Sequence, residues 1–228
     1  MGYISEHSKS VNTNTLDSDI VLKLYSDVRN HCAEVIEQGY QNYLTDTEKV
    51  FAEDETTITA GLYDHIQTIV ETDDLPFVVV PEFHQYTTPI KKGKVNPNKA
   101  KRFDLHFTNF SYKPRIKFGV EAKLLVQTNT SSRSATFLTS EYVEDAGMGK
   151  FIKGIYENDG FMLGYILNGT IASIVANINL KIISTYSDKE QLNKTSNHYI
   201  STYTLRGKGK ELSHIFLDFS AAITQKKV

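Results

Sequence analysis

Apolar and polar residues alternate over two short runs in the middle of the chain, and the rest of the pattern is arranged around them. Phe103-Asp104-Leu105-His106-Phe107 repeats every second residue, and so does Ile116-Lys117-Phe118-Gly119-Val120-Glu121-Ala122-Lys123-Leu124. Successive side chains of a strand point to opposite faces, so the pattern predicts two strands. In the first, Phe103, Leu105 and Phe107 share a face while Asp104 looks out of the other. In the second, Ile116, Phe118, Val120, Ala122 and Leu124 share a face, and Glu121 and Lys123 stand together on the opposite one. Pairing of the two strands would bring two carboxylates and an amine onto one patch of sheet.

Helical spacing dominates what comes before. From Leu16 to Leu44 apolar residues recur as Leu16, Ile20, Leu24, Val28, Val35, Ile36, Tyr40 and Tyr43, a stripe that packs on a core or joins a dimer contact. Residues Met1 to Thr15 are polar, are expected to be loosely held, and carry no apolar core of an export signal. A second helix, about Glu53 to Val70, has Ile58, Leu62, Ile66 and Ile69 inward. Glu55 lies in line with that stripe near the helix N-terminus, where a carboxylate either meets the helix dipole or reaches a site. Phe77 to Phe83 reads as a strand; consecutive Val78, Val79 and Val80 predict burial on both faces, and Pro81 marks an edge or bulge. Tyr86 to Ala100 is a basic, proline-punctuated loop.

Beyond the second central strand, Gln127 to Ser134 is polar, and a helix is predicted over Ser140 to Tyr156. Gly147 and Gly149 within it predict a kink or very close packing. Phe161 to Leu167 reads as a buried strand. Ile171, Ile174, Val175 and Ile178 then restart helical spacing behind Thr170, a suitable N-cap. Ser184 to Ser196 is loop, and His198 to Leu205 with Leu212 to Phe219 form a hairpin about the solvated tip Arg206 to Lys210.

Composition narrows the class. With 228 residues, 40% hydrophobic and 23% charged, the chain fits a soluble globular protein with one good-sized core, or one domain with appendages. A single cysteine, Cys32, excludes an intrachain disulfide and suits a reducing cytoplasm. Phe161 to Leu180 is uncharged for 20 positions, yet Asn168, Gly169, Asn177 and Asn179 interrupt it, so a buried strand–turn–helix is expected and no membrane span. Charge is distributed unevenly. Of the 58 residues between Glu82 and Glu141, only Asp104 and Glu121 are acidic, against 11 Lys and Arg. Basic surroundings suit a phosphate-bearing polymer, and paired carboxylates suit a divalent cation.

Asp104, followed 17 residues on by the triplet Glu121-Ala122-Lys123, resembles the PD-(D/E)XK nuclease superfamily. The position before the acid, often Pro in that superfamily, is Phe103 here. The resemblance implies an α/β fold with a restriction-endonuclease-like αβββαβ core and a central mixed sheet over residues 51–168. Within a single domain spanning 1–228, residues 1–50 would add an N-terminal helix, and 169–228 a C-terminal helix and β-hairpin. It implies Mg²⁺-dependent phosphodiester hydrolysis, Mn²⁺ substituting, with DNA expected ahead of RNA although the sequence does not distinguish the two, for restriction, phage defence or repair. Asp104, Glu121 and Lys123 would be catalytic. Asp104, Glu121, the Ala122 carbonyl and Glu55 would hold metal. Lys91, Lys92, Lys94, Lys99, Lys101, Arg102, Arg133 and Lys150 are the candidate nucleic-acid contacts, and a homodimer is an open option.

Other chemistries find little support. The seven histidines are scattered without a metalloprotease spacing, and no GxSxG elbow is present. His106 shares the Asp104 face and reads first as a buried strand histidine, second as a substrate contact. Glu121 and Lys123 also allow a structural ion pair, and a non-catalytic nuclease-like binding subunit is the alternative function.

Overall fold

The computed structural model describes residues 18–46, 53–86, 88–92, 94, 96, 100–111, 115–156, 159–196 and 198–225. The expectations for residues 1–15 and for Lys99 lie outside the described residues. The first apolar stripe forms α1 (Ser18–Thr45) and the second forms α2 (Glu55–Thr72). Their inward residues, Val28, Val35, Ile36 and Tyr43 with Ile58, Leu62 and Ile66, are buried together. α2 starts where Asp54 accepts the Thr57 N–H at 2.8 Å, a side-chain cap that satisfies one orphan donor.

Seven strands make one mixed sheet in the order β1-β2-β3-β4-β7-β6-β5. They are β1 (Phe77–Gln85), β2 (Lys101–Asn109), β3 (Lys117–Val126), β4 (Gly160–Asn168), β5 (Asn193–Lys194), β6 (Tyr199–Leu205) and β7 (Lys208–Asp218). β3, β4 and β7 run parallel, while β1-β2-β3 and β5-β6-β7 are antiparallel. The intervening helices are α3 (Thr88–Lys91), α4 (Ala135–Val143), α5 (Gly149–Ile152) and α6 (Ile171–Thr185), and α7 (Ser220–Gln225) follows β7. The chain is therefore α/β, with β4 buried along both faces at the sheet centre. One core layer joins α1 and α2 to Leu105, Phe107, Phe118, Val120 and Ala122. The other joins α4, α5 and α6 to Phe103, Leu125, Met162 and Ile166. Thr170 caps α6 as expected, accepting the Ser173 N–H at 3.3 Å.

Four local expectations are corrected. Val78 is 44% exposed, because β1 is the edge strand and has only one face on the core. The helix expected over Ser140 to Tyr156 is two pieces. A Cβ at Gly147 would lie 2.2 Å from the Tyr142 carbonyl oxygen, so the chain folds tightly back there before α5. The C-terminal hairpin is no appendage, since β7 pairs with β4 inside the central sheet. Its turn is only Arg206-Gly207, with φ of 53° and 75°, the left-handed pair that a two-residue hairpin turn requires.

The fourth correction shapes the site. Phe103 does not share the face of Leu105 and Phe107 but packs in the opposite layer, its ring 3.9 Å from that of Tyr156. β2 is irregular at Asp104. The pair Glu82–Asp104 drops out of the β1–β2 ladder, and Glu82 adopts a φ of 47°. β2 and β3 pair only as far as Leu105 and Val120, then part. The Phe103 ring fills the space over Gly119, where a Cβ would come within 2.0 Å of it. Asp104 thus sits at the mouth of the gap between β2 and β3.

Candidate active site

A residue in a strand directs its N–H and C=O to the same side. At Ala122 that side faces the gap, where no β2 residue pairs with it. Its N–H donates to Asp104 Oδ2 at 2.7 Å, and its carbonyl accepts from Lys123 Nζ at 2.6 Å. The same ammonium lies 2.9 Å from Glu55 Oε1 at the start of α2 and 3.1 Å from Glu121 Oε1. The helix cap and the strand register therefore bring Glu55, Asp104, Glu121 and Lys123 to one spot.

Glu121 is 2% exposed, and a carboxylate that deep needs donors. It has Lys150 Nζ from α5 at 2.5 Å on Oε1, and the Tyr156 hydroxyl 2.6 Å from Oε2. That hydroxyl also lies 2.6 Å from the Arg102 carbonyl, and its one hydrogen serves one acceptor at a time. Burial raises the Tyr156 pKa, and the charge of Glu121 raises it further, so the phenol keeps its proton. Behind the cluster the Tyr165 hydroxyl is 3.0 Å from Thr59 Oγ1, which donates to the Glu55 carbonyl at 2.8 Å.

Burial pushes the Asp104 pKa up to about 6, with the charge of Glu121 adding to it and the Ala122 N–H opposing it. For Lys123, burial pulls the pKa down, but Glu121, Glu55 and Asp104 more than offset it and leave it above the ordinary lysine value. Lys123 is thus a fixed positive charge rather than a proton acceptor. With every group ionised, three carboxylates face two ammoniums, a balance that favours one more positive charge.

Among the described residues no group of three or more His, Cys, Asp or Glu side chains stands arranged as a metal cage. The donor chemistry nevertheless fits a hard cation. The Lys123 ammonium is itself such a cation, held by two carboxylate oxygens and a backbone carbonyl. Carboxylates and backbone carbonyls are the ligand types that Mg²⁺ takes.

The remaining expected contacts divide. Lys91, Lys92, Lys94, Lys101 and Arg102 are exposed. Arg102 also reaches Glu82 at 3.3 Å. Arg133 instead binds Glu53, with Nη1 to Oε2 at 2.8 Å and Nη2 on its carbonyl, which fixes the approach to α2. Lys150 is engaged with Glu121 in the cluster. Tyr156 is a site residue that the sequence pattern did not single out. Its only signal was a polar atom on a residue assigned to the interior. Comparison with family models, with curated proteins and with solved structures found no match. No helix among the described residues is long and apolar enough to cross a membrane.

Proposed function

We propose that this protein is a metal-dependent nuclease of the PD-(D/E)XK type, with a restriction-endonuclease-like core, that hydrolyses phosphodiester bonds in DNA in a restriction, defence or repair role. The observation that carries the reading is the convergence of Asp104, Glu121, Lys123 and Glu55 where β2 parts from β3. Asp104, Glu121, the Ala122 carbonyl and Glu55 would hold Mg²⁺ or Mn²⁺. When bound, the ion supplies a Lewis acid that polarises phosphate and acidifies water. Lys123 contributes a charge that needs no proton gain and opposes the negative charge developing on the phosphoryl oxygens. Lys150 and Tyr156 hold Glu121 in one orientation.

One observation favours a second reading, a non-catalytic subunit that binds nucleic acid or a protein. Glu121 is already engaged by Lys150, Lys123 and Tyr156, as a structural ion-pair network would require. The two readings part in a cleavage assay on linear and circular DNA with Mg²⁺, with Mn²⁺ and with chelator. The nuclease reading expects cleavage only with metal, and a loss of about a hundredfold in Lys123→Ala with DNA binding retained. Wild-type protein inactive with both metals on every substrate would favour the binding subunit.

A further inference from the structure

At the outer edge of the sheet lies a cavity of about 550 Å³ that the chemistry above does not use. β1 and β2 form its wall. His106 lines it and is 1% exposed, yet its Nε2 has no hydrogen-bond partner among the described residues. The buried Oε1 of Gln85, on the same cavity, has none either. Leaving a buried polar atom unpaired costs stability, so two on one cavity point to a ligand that supplies the missing partners.

The other lining residues say what kind. Phe83 stacks on the His106 ring at 4.0 Å and 20°, forming an aromatic wall. Tyr86 adds a second, 48% exposed ring, and Lys91 and Lys117 place two ammoniums on the rim. The one acid on the wall, Glu82, faces Arg102 at 3.3 Å. Flat rings, hydrogen-bonding atoms within and cations outside suit a ligand that is heteroaromatic at one end and phosphorylated at the other. His106 is also two residues from Asp104 on β2, at most about 7 Å between their Cα atoms. Neighbouring nucleotides of one unwound strand span that distance.

We propose that this cavity receives an unstacked nucleotide of the nucleic acid, its base against Phe83 and hydrogen-bonded to His106 Nε2, its phosphate beside Lys117 or Lys91. The inference rests on the nuclease reading and narrows its substrate to nucleic acid with an unpaired base next to the bond that is cut. A base leaves its stack at least cost when it is unpaired or at an end, and aromatic rings accept it with little regard to sequence.

The test measures binding by fluorescence anisotropy in chelator, at one fixed salt concentration, for a short single-stranded DNA and for an abasic strand of the same length. Wild-type protein should bind the strand with bases about tenfold more tightly. His106→Leu and, independently, the more peripheral Gln85→Leu should each shrink that preference, whereas Lys117→Ala should weaken both strands alike. Equal binding of the two strands by wild-type protein overturns the proposal, as does a preference untouched by His106→Leu in a folded protein. A protein partner on this surface would show as the same equality. Cleavage with Mg²⁺ is measured alongside. Cleavage without base preference removes only the pocket, and base preference without cleavage under either metal removes only the nuclease reading.

Discussion

Asp104 is ionised against its surroundings, since burial and the neighbouring Glu121 hold its pKa up to about 6. A carboxylate whose folded pKa lies above its unfolded value near 3.9 is favoured in its protonated form by the fold, so above pH 6 its charge costs stability. Asparagine keeps an oxygen for the Ala122 N–H and removes the charge. Asp104→Asn should therefore raise stability by up to about 3 kcal/mol in chelator at pH 7.5, read by urea unfolding, while it ends cleavage. A destabilisation of that size would make Asp104 a structural acceptor instead. Lys150 offers a second residue-scale test. Its ammonium sits 2.5 Å from Glu121 Oε1, an oxygen the proposed ion would share. Lys150→Gln should tighten Mg²⁺ binding severalfold in calorimetry, because a competing cation is gone. Unchanged affinity would separate Glu121 from the ion.

At the scale of elements, the site exists because β2 stands apart from β3 before Leu105, and the Phe103 ring over Gly119 fixes where that happens. A methyl group at Gly119 would collide with the ring, so Gly119→Ala should destabilise the fold by about 1–3 kcal/mol. It should lower cleavage as well, since Asp104 neighbours the displaced ring. Phe103→Leu in the same chain should recover stability, and a double variant no better than the single one would assign the strain elsewhere. The alternation of Ile116 to Leu124 was legible because β3 is regular up to Leu125, and its face came out as read. The facing of Phe103 was hidden because it depends on the break at Glu82 and on space left by Gly119, neither of which follows from period two. The engagement of Lys150 with Glu121 and the pairing of β7 with β4 were hidden for a related reason. Both join positions far apart in the chain, whereas periodicity speaks only of neighbours. Glu55 was legible in part: helical spacing set its direction, and only the sheet reveals that Lys123 waits there.

Across the whole molecule, buried titratable groups of opposite sign set how the fold responds to acid. His214 is fully buried between the Tyr142 hydroxyl at 2.9 Å and Ser201 Oγ at 2.8 Å, tying β7 to α4 and β6. Burial holds its pKa down at about 3. His106 is likewise held at about 4, by burial and then by Lys117. Both rings stay neutral in the fold where the unfolded chain, with histidine near 6.5, takes up protons. Stability is then lost as pH falls from about 6.5 towards 4, by roughly 1.4 kcal/mol per pH unit for each ring. Asp104 acts in the other direction. Its folded pKa of about 6 exceeds the unfolded value, so between about 6 and 4 the fold holds the extra proton and gains. Two losses against one gain leave a net decline of roughly 4 kcal/mol from pH 6.5 to 4. Urea unfolding at pH 7.5, 6, 5 and 4.5 in chelator should show that decline. Asp104→Asn should steepen it by deleting the compensating proton uptake, and His214→Gln should flatten it even if its stability at pH 7.5 is lower. A fold that grows more stable on acidification from pH 6.5 to 5 would mean that the two histidines are protonated where they lie, and that the neutral, hydrogen-bonded His214 is the wrong account of this core.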